Sequence, residues 1–161
     1  MNPVHFSSRS DDWATPQWLF DLLDAEFGFT LDVCAVAGNA KCQHYFSPDV
    51  DGLKQDWRGV CWMNPPYGRQ IARFVEKAHQ SALLGATVVC LLPARTDTTY
   101  WHRVIAHAAE IRFLKGRLKF GGAANSAPFP SAVVVFQPGK HQKPQVRFVD
   151  LAEVQQNLFG C

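Results

Sequence analysis

Residues 87–92, Thr-Val-Val-Cys-Leu-Leu, are an unbroken apolar run set between a Gly-Ala step and a proline. A strand without polar alternation is buried on both faces, which requires a sheet covered by helices on each side. The neighbouring segments supply such helices. Residues 15–28 open on Thr15-Pro16, a cap candidate before a proline suited to the first helical position, and close on Gly28. Leu19, Phe20, Leu22, Leu23 and Phe27 give that segment one broad apolar face. Residues 70–85 repeat the pattern with Ile71, Phe74, Val75 and Ala78, and residues 98–109 read as a third helix. Strands are expected at 29–33, 60–63, 87–92, 110–114, 131–136 and 145–150, with a further short one at 117–120. Residues 35–59 are loop-rich, with small elements at most around 44–46. A short helix is expected at the C-terminus. Strands alternating with helices make an α/β fold with a mostly parallel sheet. Hydrophobic residues at 47% against 19% charged, in 161 residues, suit one folded domain with a loose polar arm over 1–12.

In such sheets ligands bind beyond the carboxyl ends of the strands. Two strand ends carry chemistry there: Asp32-Val33-Cys34-Ala35 and Asn64-Pro65-Pro66-Tyr67. Two successive prolines exclude a regular helix or a central strand and fix the backbone of the second turn. The side-chain oxygen of Asn64 and the carbonyl of Pro65 are then two acceptors held in register, and Tyr67 adds a flat face. Two converging acceptors suit a planar –NH2 group. Accepting both its hydrogens draws the nitrogen lone pair out of conjugation and makes a weak nucleophile usable.

The segment "NPPYG" after an apolar strand resembles the catalytic motif of S-adenosylmethionine-dependent amino-methyltransferases. "WATPQWLF" followed by "LDVCA" is similar to their cofactor-binding start. The later stretches "LLPARTDTTYWH", "IRFLKGRLKFGG" and "APFPSAVVVF" resemble the small DNA N6-adenine methyltransferases of bacteriophages and prophages. The resemblance runs from Trp13 to Phe136. It implies a reduced Rossmann-like methyltransferase fold with an antiparallel C-terminal strand, and S-adenosyl-L-methionine as cofactor. It also implies methylation of the exocyclic N6 amine of adenine in double-stranded DNA. Residue by residue, it implies that Thr15 and Pro16 hold the methionine end of the cofactor and that Trp13 belongs to the cofactor site. Asp32, Cys34 and Ala35 would line its centre, Asp56 and Trp57 would take its adenine, and Asn64, Pro65, Pro66 and Tyr67 would bind and activate the target base, with Asn64 touching both ligands. Asp49 and Asp51 are alternatives for the ribose-binding acid.

Departures from the pattern are visible. The glycine-rich loop after the first strand is reduced to "CAVAGN". About thirty residues separate Asp32 from Asn64, little more than one crossover unit takes, so at least one helix is expected to be missing or vestigial.

A base amine inside a duplex is out of reach of such a clamp, so the base must be flipped out or unpaired. Arg112, Lys115, Arg117 and Lys119, interleaved with Phe113 and Phe120, form a candidate phosphate-binding patch. Arg95 lies past a strand end on the ligand side, with Tyr100 and Trp101 as candidate stacking residues. His102 and His107 have no carboxylate neighbour in sequence and read as structural. The rival substrates are an RNA base or a protein glutamine, and the rival class is a DNA-binding protein that keeps the fold without the chemistry.

Cysteines at 34, 42, 61, 90 and 161 show no C-x-x-C pair, which disfavours a disulfide framework or a zinc site, and no metal is expected. Cys61 and Cys90 read as small buried hydrophobes. A net charge of +2 neither demands nor excludes a polyanionic partner. No apolar run approaches the ~20 residues of a membrane span, and the N-terminus has no signal-like segment, so the expected place is the cytoplasm of a bacterial host cell. A monomer or weak dimer is expected.

Overall fold

The structure is a computed structural model that describes residues 13–122, 124–140 and 143–160; the expected arm at 1–12 lies outside the described residues. Helix α1 (Gln17–Phe27) leads into β1 (Leu31–Asp32), whose hydrogen bonding to the next strand extends from Thr30 to Val33. Then come β2 (Val60–Met63), α2 (Ile71–Leu83), β3 (Thr87–Pro93), α3 (Thr99–Arg103), β4 (Glu110–Lys115), β5 (Ser131–Phe136), β6 (Gln145–Asp150) and α4 (Leu151–Phe159).

The six strands form one mixed sheet in the order β1-β2-β3-β5-β4-β6. Pairs β1–β2, β2–β3 and β4–β6 are parallel, while β5 is antiparallel to both β3 and β4. Five strands therefore point one way, and the antiparallel strand is the one wedged into the middle. With helices on both faces this is consistent with the reduced Rossmann-like methyltransferase fold expected from the sequence, with one correction: the C-terminal strand β6 runs parallel to β4, and the antiparallel strand is β5.

The two faces of the continuous apolar strands go to different layers. Cys61, Met63, Val88, Cys90, Leu92, Ala132 and Val134 pack under α2, against Ile71, Phe74, Val75 and Ala78. Trp62, Val89, Leu91, Val133 and Val135 pack under α1, against Leu19, Phe20 and Leu23. Cys61 and Cys90 are completely buried in the first layer.

Between β1 and β2 the described chain holds a single 3-10 turn, Gly52–Lys54, where a full fold would place strand–helix units. This loop closes directly on β1. A Cβ on Gly52 would stand 2.3 Å from the Val33 carbonyl oxygen, so only glycine permits the approach. Residues 44–46 lie along the outer side of β1, with Asp32 N–H donating to the His44 carbonyl and Phe46 N–H to the Asp32 carbonyl.

Three local expectations change. Pro16, not Thr15, occupies the cap position of α1, because Thr15 turns its hydroxyl to another partner. The helix expected over 98–109 breaks at Val104 and continues as a 3-10 turn, Ile105–His107, which sinks Ile105 fully into the core. Residues 117–120 are not a strand. Gly116, at φ 97°, turns the chain at the end of β4, and Leu118 and Phe120 then bury against the α1 side of the sheet.

Candidate active site

Asn64 follows β2 directly, at the carboxyl edge of the sheet. Its Nδ2 donates to the Trp13 carbonyl oxygen at 2.8 Å and to the Thr15 hydroxyl at 3.1 Å. A carbonyl only accepts, so these contacts determine which way the amide faces. The other end, Oδ1, is buried and has no hydrogen-bond partner among the described residues. Leaving a buried acceptor unpaired costs about 1–3 kcal/mol, a cost that a donor ligand would relieve. The Pro65 carbonyl likewise accepts no hydrogen bond from a described residue.

The aromatic face of the turn is part of a larger cluster. Tyr67 lies near-parallel to Trp13, ring centres 6.3 Å apart at 27°. Phe120 and Phe129 stand edge-on to Tyr67 at 6.3 and 5.5 Å, and both also touch Trp13. The Arg95 guanidinium lies 5.9 Å from the Phe129 ring centre. Tyr67 donates its hydroxyl to the Leu91 carbonyl at 3.3 Å, and burial pushes its pKa far above the ordinary phenol value. The chain between Trp13 and Thr15 is pinned from the far side as well, where Gly121 N–H donates to the Ala14 carbonyl at 2.9 Å. Trp13, Thr15, Asn64, Tyr67 and Arg95 are thus brought together as the sequence suggests. Phe129 is the wall the sequence did not assign, its one local signal being the flanking prolines in "APFPS".

Asp32 sits at the end of β1 with 2% of its surface exposed. Its Oδ1 accepts from the Cys34 amide at 3.3 Å and its Oδ2 from the Lys41 amide at 3.0 Å. Burial raises its pKa to about 6, against the lowering effect of those two amides. Ala35 N–H donates to the Phe46 carbonyl, which folds the 33–46 loop back beside the carboxylate. Burial likewise pushes the Cys34 thiol up to about 12, with the Asp32 charge adding to the effect, so this cysteine stays a neutral thiol. A cavity of about 370 Å³ lies between α1 and residues 41–44, bordering Lys41 but lined by none of the Asn64–Tyr67 turn.

Several expected site residues are engaged elsewhere. Trp57 is buried, donates its indole N–H to the Gly52 carbonyl at 2.8 Å and stacks on Phe74. Its neighbour Asp56 points to solvent beside Arg58. Trp57 is thus turned into the core and Asp56 to solvent, so the two side chains face apart. Arg112 is held by Glu110 (Nε to Oε1, 2.7 Å) and Glu26 (Nη1 to Oε1, 3.0 Å) over the Phe27 ring. Burial alone would lower its pKa, but the two carboxylates raise it overall. Both acids compete with any phosphate, so Arg112 is a structural ion pair. Lys115 bonds Asp150 at 2.7 Å on the surface, while Arg117 reaches the Ala127 carbonyl at 3.3 Å. Tyr100 and Trp101 are buried, the latter stacked on Phe113, and offer no face to a base. Asp51 caps the Leu53 amide. Arg95, Arg117 and Lys119 remain exposed and, among the described residues, free of ion pairs. Arg69 and Arg73, exposed beside the Tyr67 turn and also unpaired among the described residues, were not singled out from sequence.

The family model described as DNA N-6-adenine-methyltransferase (Dam) matches residues 5–157. The chain is 34% identical over 140 residues to the DNA N-6-adenine-methyltransferase of Haemophilus phage HP1, covering 81% of each. It is 32% identical over 111 residues to the DNA N-6-adenine-methyltransferase of Escherichia phage T1, covering 67% of this chain and 46% of that one.

Proposed function

The chain belongs to the DNA N-6-adenine-methyltransferase family, and from that premise we propose that it moves a methyl group from S-adenosyl-L-methionine to the N6 amine of adenine in double-stranded DNA. The observation that carries the reading is the buried, unpartnered Oδ1 of Asn64 at the end of β2. It is an acceptor waiting for a donor, on the same turn as the Tyr67 ring and the Pro65 carbonyl, which is unbonded among the described residues.

The residues around it suit the cofactor. Helix α1 starts with no side-chain cap, and such an N-terminus favours a carboxylate. Asp32, desolvated and held at a pKa of about 6, gains from a cationic neighbour. Thr15, Pro16, Asp32, Cys34 and Ala35 would hold the cofactor; Asp56 and Trp57 are dropped from that set. When bound, the cofactor supplies an electrophilic methyl group on a sulfonium.

The chain's own residues then do the following. Asn64 Oδ1 and the Pro65 carbonyl accept the two amine hydrogens, which localises the lone pair on N6 and aligns it for attack. Tyr67 supports the base plane, with Trp13, Phe120 and Phe129 closing the aromatic pocket. After attack the nitrogen carries a positive charge and sheds a proton; Tyr67 does not take it as a phenolate, since burial keeps its hydroxyl protonated. Among the described residues no helix is long and apolar enough to cross a membrane.

The test is transfer of labelled methyl from S-adenosylmethionine to unmethylated duplex DNA, with RNA and a protein extract in parallel and Asn64→Ala as control. Label recovered as N6-methyladenine and lost with Asn64→Ala supports the reading. Label in RNA or glutamine overturns the substrate. Cofactor binding without transfer to any acceptor points to a non-catalytic binder.

A further inference from the structure

We propose that β6 is the edge along which two copies of this chain pair, joining their sheets antiparallel about a twofold axis at Phe148. The opposite edge of the sheet is covered, since residues 44–46 lie along β1. On β6, the Gln145 N–H donates to the Ala109 carbonyl, and Gln145 pairs with Glu110 in parallel register. Main-chain groups alternate sides along a strand, so Gln145, Arg147 and Val149 face β4, while Val146, Phe148 and Asp150 face outward. Val146 and Phe148 therefore present N–H and carbonyl groups that no described residue takes.

The side chains resemble an interior more than a guarded edge. Trp101, Phe113 and Phe148 form one aromatic row from α3 across β4 to β6, with successive ring centres 6.2 and 5.9 Å apart. The row ends on Phe148, which is 83% exposed, beside Val146 at 48%. A charge ordinarily protects such an edge. Here Arg147 lies on the other face, bound to Glu110 at 3.1 Å, and leaves the aromatic row bare.

A second copy fits this edge in one register. With the axis at Phe148, the two Phe148 residues exchange both main-chain bonds, and each Asp150 N–H meets the other copy's Val146 carbonyl. Arg147 then stands opposite Val149, and the two aromatic rows meet end to end. An axis at Arg147 sets arginine against arginine, and one at Asp150 sets carboxylate against carboxylate. An axis at Val146 places Phe148 opposite Pro144, which has no N–H to give. An axis at Val149 overlaps only residues 148–150 of β6. The Phe148 register is self-complementary, as a closed twofold dimer requires.

The experiment is sedimentation of the full chain from about 1 to 500 μM, since a small edge contact suits a dissociation constant of about 10–100 μM. Phe148→Arg should weaken association at least about tenfold. Its thermal unfolding should match wild type, because the side chain it replaces is exposed. In a Cys161→Ser background, Phe148→Cys should oxidise to a disulfide-linked dimer. A hydrogen-bonded antiparallel pair holds its Cα atoms about 5.5 Å apart, within disulfide reach. Val146→Cys should not, since Val146 faces Asp150 rather than itself. A chain that stays monomeric to the top of that range overturns the proposal. So does a dimer indifferent to Phe148→Arg, which places the interface elsewhere. A disulfide that fails at Phe148, or forms at Val146 instead, overturns the assigned pairing.

Discussion

The Lys41 main-chain amide lies 3.0 Å from Oδ2 of Asp32, so the loop that leaves β1 returns to cap the carboxylate at that strand's end. Even so, burial dominates and lifts the pKa from 3.8 to about 6. The folded protein therefore keeps a proton between roughly pH 4 and 6 that the unfolded chain has released. The stability contributed by this group is full below about 4 and is lost as pH rises through about 6. A cationic ligand beside Asp32 reverses the preference by favouring the carboxylate. S-adenosylmethionine affinity should then rise from pH 5 to 7 and level off, while Asp32→Asn shows a flat profile. Calorimetry across that range decides it, and identical profiles for the two proteins would place the cation elsewhere.

Arg112→Ala should act on stability rather than on DNA. Its guanidinium serves Glu26 and Glu110 at once with 12% of the side chain exposed. Removing it leaves a half-buried carboxylate cluster, compensated only in part by Arg147 at 3.1 Å from Glu110. A loss of about 2 kcal/mol is expected. Urea unfolding measures it, and DNA affinity at fixed salt should be unchanged.

Tyr67 is expected to work through its ring. Tyr67→Phe removes only the hydroxyl bond to Leu91, so kcat should fall by no more than about fivefold. Tyr67→Ala removes the stacking face and should cost roughly a hundredfold in kcat/KM, from lost base stacking and lost order in the pocket. Because burial keeps the phenol protonated, rates should show no alkaline limb from Tyr67 up to pH 9.

Arg95, Arg117 and Lys119 are the exposed cations of the sequence-derived set that no carboxylate holds among the described residues, and Arg117 is tied to the Ala127 carbonyl. Each contact with a phosphate contributes about 0.9 to the slope of log affinity against log salt. Arg95→Ala and Lys119→Ala should each lower that slope by about one, and Arg112→Ala should leave it alone. Equal slopes for all three would mean that the phosphate grip lies elsewhere, with Arg69 and Arg73 the next residues to change.

What the sequence showed and what it hid have physical reasons. The apolar runs at 88–92 and 132–136 are legible as strands because burial on both faces leaves no polar residue in them. The same runs carry no direction, so the insertion of β5 between β3 and β4 was not readable. The Asn64-Pro65-Pro66-Tyr67 turn was legible because its chemistry is local. Thr15 was read as a cap because a cap and a long-range acceptor call for the same residue type. Arg112 looked like a free cation because its partner Glu26 is 86 positions away. Asp56 and Trp57 looked like a pair because adjacency in sequence does not show that their side chains part.

The wedge position of β5 also bears on how the protein assembles. Its partners β3 and β4 are complete by residue 115, but each keeps an open apolar edge until residues 131–136 arrive between them. Pairings such as Val88 with Phe136 close long loops, which slows folding. A nascent chain stopped before residue 131 would present bare strand edges on β3 and on both sides of β4, a template for association with other chains. Synthesis of the fifth strand is therefore the event that joins β3 to β4, and β6 then covers the far edge of β4.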